Sequence, residues 1–236
     1  MDSTDTTETT DAVALSTAPA DAVTVVAARI GEATGGLPPG DGVGVFGGVY
    51  LQVTDAVTDR LGDAGWFRSP VDVARLSTLF ADRFLGALTA DTPPACWRPL
   101  LELRRHPGIR PVQFALAGIN SHIQHDLPLS VVDSCRSLGI PPQALEADFH
   151  RVNDVLACVE DQVREELLTL PAELDVADPL LHLLGSWSID AARDAAWASA
   201  RMLWELRDLP DAYSAAAAAL DRTTGMTSRC LLTPLG

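Results

Sequence analysis

The sequence predicts an all-α protein, a single-domain multi-helix bundle or array, and three observations carry that expectation. Apolar residues recur at spacings of three and four along most of the chain after Ala20. Prolines stand where helices begin, as at Pro70, Pro179 and Pro210, rather than inside the apolar repeats. No credible pair of alternating strands is present.

Residues 1–19 are rich in Thr, Asp, Ala and Ser and lack aromatic and basic side chains, so they read as a disordered acidic tail. The helical domain is expected over 20–236. Its first helix carries Val23, Val26, Ala27 and Ile30 on one stripe and ends at Gly35-Gly36. The second, from Asp41 to Leu61, repeats Phe46, Val49, Tyr50, Val53 and Val57. Its glycines each cost about 1 kcal/mol relative to alanine but permit close helix contact. Ser69-Pro70 reads as a serine cap followed by a first-turn proline. That helix turns Val73, Leu76, Phe80 and Phe84 inward, and a short helix through Trp97 and Leu100 follows Pro93-Pro94.

The central helix, Val112 to Leu127, starts apolar and then carries Asn120, Ser121, His122, His125 and Asp126. Pro128 is expected to kink it or to start a new segment. A long helix runs from about Gln143 to Leu168 with Leu145, Phe149, Val152, Leu156, Val159 and Val163 on its apolar face. Short helices are expected from Asp178 to Leu184 and from Ile189 to Leu206, and the last clear one starts at Pro210.

Composition narrows the function classes. The formal charge of -15 argues against nucleic acid and anionic membrane as partners, although Arg104, Arg105, His106 and Arg110 could form a local basic patch. The chain contains no lysine, which excludes a Schiff-base lysine, hence pyridoxal phosphate as cofactor, and a P-loop lysine. The four cysteines, Cys96, Cys135, Cys158 and Cys230, form no Cys-x-x-Cys pair and are expected to be isolated thiols of a cytoplasmic protein. No secretion signal or membrane-spanning run is expected.

Chemistry is expected where polar groups interrupt the apolar helices, because an unpartnered buried polar group costs about 2–7 kcal/mol. His122 and Asp126 lie four apart on one helical face, and His150 and Asp154 repeat that spacing on the long helix. If the two helices packed together, His122, Asp126, His150 and Asp154 could hold a divalent metal. The same groups suit acid–base catalysis, with His122 oriented by Asp126 and Asp154 as a second carboxylate. His125 could be a further ligand or merely solvated. Asn120, Tyr50, Asn153, Arg193 and Trp197 are candidate substrate-binding groups. Paired His-x-x-x-Asp elements also occur in zinc-dependent phospholipases and P1-type nucleases, which this chain resembles in that feature alone. The segment from Asn153 to Asp161 is similar to the magnesium-binding element of terpene cyclases, but Ala157 replaces its hydroxyl ligand.

Several blocks resemble an uncharacterised bacterial family known only as a domain of unknown function. They are the run from Asp41 through Phe46 and Tyr50 to Thr54, Phe80-Ala81-x-Arg83-Phe84, Ala117-Gly118-Ile119-Asn120-Ser121-His122-Ile123-x-x-Asp126-Leu127, Asp148-Phe149-x-Arg151-Val152-Asn153-Asp154, and the segment from Ser188 through Arg193 to Trp197. The family pattern usually has Ala at the position of Ser121 and often Asn at those of Gln124 and His125. The resemblance therefore directs attention to Asn120, His122 and Asp126, and it brings no reaction with it. The expected function is a small-molecule enzyme using His/Asp acid–base or metal-assisted hydrolysis, cyclisation or elimination on a partly apolar substrate. The alternative is a non-catalytic ligand-binding or interaction protein with a buried His/Asp/Asn network.

Overall fold

The structure of the chain, a computed structural model, describes residues 18–168 and 188–234, with side chains through residue 157 in the first stretch. The helices are α1 (Pro19–Thr34), α2 (Gly42–Gly62), α3 (Pro70–Thr89), α4 (Arg98–Leu103), α5 (Pro111–Ser121), a π-helical turn (His122–Asp126), α6 (Leu127–Leu138), α7 (Pro142–Leu168), α8 (Ile189–Glu205) and α9 (Pro210–Leu231). No strand occurs among the described residues, and the protein is all-α. No described helix is long and apolar enough to cross a membrane. Residues 1–17 of the acidic tail expected over 1–19, and the helix expected from Asp178 to Leu184, lie outside the described residues, while Pro19 already begins α1.

The α5–π–α6 rod is the axis of the assembly. α5 packs against α2, α7 and α9, the π turn against α3, α8 and α9, and α6 against α3 and α8. α5 is accordingly covered on every side: nine of its 11 residues are buried, Gln113, Asn120 and Ser121 among them. Phe46, Phe84, Trp97, Leu100 and Phe114 form one core around α2–α5. Ile123, Leu127, Leu145, Phe149 and Trp197 form a second one between the rod, α7 and α8. Each such side chain contributes about 1.5–3 kcal/mol through its removal from water.

The central helix does not run unbroken to a kink at Pro128. It widens one turn earlier, where the Leu127 N–H bonds the His122 carbonyl five residues back. Pro128 then occupies the first turn of α6, where its missing N–H costs least. Ser69 also departs from expectation, since its side chain makes no capping hydrogen bond. The entry to α3 is held instead by Asp148 of α7, whose two oxygens accept the Arg68 and Ser69 N–H groups at 2.9 and 2.8 Å.

Two glycines show how close the helices come. A Cβ at Gly118 would lie 2.4 Å from the Phe46 ring, so α2 and α5 meet only because that position is bare. Gly48 of α2 is exposed, with nothing within 4 Å of such a Cβ. Gly118→Ala is therefore expected to destabilise the fold by about 1–3 kcal/mol through overpacking. Gly48→Ala should instead be neutral or stabilising by up to about 1 kcal/mol. Urea unfolding of the two variants measures the contrast, and equal midpoints would contradict this packing.

Candidate active site

The π turn brings His122 and His125 to the same carboxylate. Asp126 is 1% exposed and receives three N–H groups. Trp97 Nε1 donates to Oδ2 at 2.9 Å, His122 Nδ1 lies 3.0 Å from Oδ2, and His125 Nδ1 lies 2.7 Å from Oδ1. An ionised carboxylate only accepts, so both Nδ1 atoms carry protons. Burial acts to raise the Asp126 pKa, but the hydrogen bonds from His122 and His125 outweigh it and hold the carboxyl below its ordinary value.

His122 is 3% exposed. Burial lowers its pKa, and the opposing attraction of Asp126 does not restore it, so the imidazole is neutral at pH 7. Its ring stacks on Phe80 at 3.5 Å with the planes 8° apart, and Tyr50 meets it edge-on at 4.5 Å. With Nδ1 committed to Asp126, Nε2 is the basic nitrogen. It is buried and has no hydrogen-bond partner among the described residues.

His122 lines a cavity of about 160 Å³ enclosed by α2, α3, α5, the π turn, α7 and α8. The walls are largely aliphatic and aromatic, with Tyr50, Thr54, Ser77, Asp148 and Arg193 as polar exceptions besides His122. Arg193 is 5% exposed. It donates to the Phe149 carbonyl at 2.7 Å and to Asn153 Oδ1, and its guanidinium lies 4.2 Å over the Phe149 ring. Burial pulls its pKa down to about 10 against the opposing charges of Asp190 and Asp194, leaving it protonated at neutral pH. No carboxylate among the described residues forms an ion pair with it.

The other expected site residues are placed differently. His150 and Asp154 are exposed on α7, so the His122, Asp126, His150 and Asp154 constellation is not brought together. α7 turns Asp148 and Phe149 to the cavity, which puts its solvent-facing positions at 150 and 154. Asp148, not Asp154, is the carboxylate among the cavity's lining residues, and Asp126 stands behind His122. Asn120 faces α9, donating to the Thr224 carbonyl at 3.2 Å and to Ser228 Oγ at 3.0 Å. Asn153 positions Arg193, and Trp197 bonds Glu146 at 3.2 Å and packs on Phe149. Neither lines the cavity. The expected basic patch is partly neutralised, because Arg104 and Arg105 both pair with buried Asp41, at 2.8 and 3.1 Å.

Sequence reasoning missed Phe80 and Trp97 as partners of the histidine–carboxylate group. The sequence places Phe80 on a core stripe and in a family block and Trp97 in a short helix, and Trp97 lies 29 positions before Asp126. An aromatic residue on an apolar helix is a signal too common to single either of them out.

These features define an all-helical protein with a buried histidine–carboxylate group at an apolar cavity. The chain belongs to DUF5995, a family of unknown function, whose model matches residues 23–234. No curated protein matches it, and no solved structure does.

The pH dependence of stability follows from the two buried groups. Unfolded His122 takes up a proton near its ordinary value of 6.5, whereas the folded imidazole resists until lower pH. The unfolded state thus binds more protons in that window, and stability falls as pH drops below 6.5. Asp126 acts in the same direction at lower pH, since its folded pKa lies below the unfolded one. Unfolding midpoints between pH 7 and pH 5 should fall more steeply in wild type than in His122→Gln. Trp97→Phe is expected to cost about 1.5–3 kcal/mol, the value of a hydrogen bond to a charged group. Parallel pH profiles for wild type and His122→Gln would contradict the assignment of a buried neutral imidazole.

Proposed function

We propose that the protein is a small-molecule enzyme of bacterial metabolism, working in the cytoplasm, in which neutral His122 is the general base. The observation that carries this is the buried Nε2 of His122, unpartnered at the cavity while Nδ1 is held by Asp126. A carboxylate on the far nitrogen fixes the tautomer and stabilises the imidazolium formed when Nε2 takes a proton. Apolar walls exclude water and strengthen the local electrostatics. Arg193 supplies the complementary recognition, a buried cation suited to an anionic group on an otherwise apolar substrate. Tyr50, edge-on to His122, is placed to contact the reacting part of that substrate.

The chemistry supported is proton abstraction from carbon, as in elimination or cyclisation, or activation of a water for hydrolysis. A second reading, a non-catalytic binding protein, is favoured by one observation: all three N–H groups on Asp126 come from the protein, as in a purely structural network.

Two measurements separate them. Incubation of the protein with a bacterial small-molecule extract, followed by untargeted mass spectrometry, should show a species consumed by wild type. Its turnover should drop by about 10²–10⁴-fold in His122→Gln, the usual contribution of a general base. Its kcat/KM should hold through pH 6.5 and fall only at lower pH, where the folded imidazole takes up a proton and Nε2 can no longer accept. Octanoate should raise the melting temperature more than octanol does, and Arg193→Met should erase that preference. Octanoate stabilisation without any consumed species would favour the binding protein, and equal effects of acid and alcohol would remove the role given to Arg193.

A further inference from the structure

His125 points away from the cavity chemistry. Its Nδ1 is held by Asp126, and its Nε2 lies 3.8 Å from Asp221 Oδ1 of α9, beyond hydrogen-bond reach. Cys96, fully buried just before α4, completes a group in which one ligand atom from each of the three residues lies within 4.8 Å of the others. This is the one such group of three among the described residues.

We propose that Cys96, His125 and Asp221 form a divalent transition-metal site suited to zinc, independent of the His122 chemistry. The donor set of one sulfur, one imidazole nitrogen and one carboxylate oxygen matches a borderline-soft cation, and is a poor match for magnesium or calcium. Ligands at about 2.0–2.3 Å around a tetrahedral ion sit about 3.3–3.8 Å apart. The His125–Asp221 separation already meets that range, and no separation in the group needs a contraction of more than about 1–1.5 Å.

The surroundings favour the same conclusion. Asp221 is fixed on the turn that carries Cys96, its oxygens accepting the Ala95 and Cys96 N–H groups at 3.0 and 2.9 Å. Each oxygen keeps a second lone pair for a metal. Gly225 permits this closeness, since a Cβ there would lie 2.4 Å from the Ala95 carbonyl oxygen. Capping of that turn accounts for Asp221 but not for an imidazole aimed at it from the opposite side. Asp126 on His125 Nδ1 is the outer carboxylate that metal-bound histidines ordinarily have. The Asp221 side chain is 25% exposed, which leaves an approach for the ion and a fourth position for water. Binding replaces the Cys96 S–H proton with the metal, so one thiol proton passes to solvent for each ion bound.

Cobalt(II) titration of the full chain tests the site. Wild type should take up one equivalent and show a near-ultraviolet thiolate-to-cobalt band, which zinc then abolishes by displacement. The band should be absent in Cys96→Ser and weakened at least tenfold in affinity in His125→Gln. It should be unchanged in Cys230→Ser, whose cysteine is exposed. It should also persist in His122→Gln, so loss of turnover and loss of metal are distinguishable. Zinc should raise the melting temperature of wild type but not of Cys96→Ser, a readout that needs no spectroscopic band. A band that survives in Cys96→Ser, or no band and no zinc-induced stabilisation in wild type, overturns the proposal.

Discussion

The structure depends on the charge of Asp126. Burying a carboxylate costs several kcal/mol unless donors replace its water. The fold supplies three N–H groups, from Trp97 at the entrance to α4 and from His122 and His125 in the π turn. The α4 segment and the central rod are thereby fixed to one another. The two imidazoles are oriented by the same carboxylate, so one ion sets the tautomer of both.

The π turn makes this sharing possible. A wider turn places His125 and His122 on different sides of Asp126, one toward α9 and one toward the aromatic wall of Phe80 and Tyr50. π turns occur mostly as single interruptions of α-helices and often at functional sites. Here the interruption falls just before Pro128, so the change of register and the loss of a backbone donor are absorbed in the same place. Asp126 thus stands between two groups, an imidazole at an apolar cavity and a thiol–imidazole–carboxylate cluster beside α9.

Much of this was legible in the sequence. Helical periodicity locates the described helices, because each buries an apolar stripe against the rod and the stripe repeats at three and four. The polar end of the central helix stood out because Asn120, His122 and Asp126 interrupt an apolar run. What the spacing could not convey was direction. His150 and Asp154 share the spacing of His122 and Asp126, yet one pair faces solvent and the other the core, because α7 spends its inner face on Asp148 and Phe149. The π turn was hidden too, since one extra residue in a turn changes hydrogen bonding without changing composition. The Cys96–His125–Asp221 group joins two residues nearer the middle of the chain to Asp221, about a hundred positions further on, and the approach of α9 at Gly225 brings them together.

The central claim is the protonation state of His122, and ¹⁵N chemical shifts of its imidazole at pH 7 test it most directly. The account predicts a neutral ring with the proton on Nδ1 and an unprotonated Nε2 of high basic-nitrogen shift. An imidazolium at pH 7, or a proton on Nε2 instead of Nδ1, would contradict it.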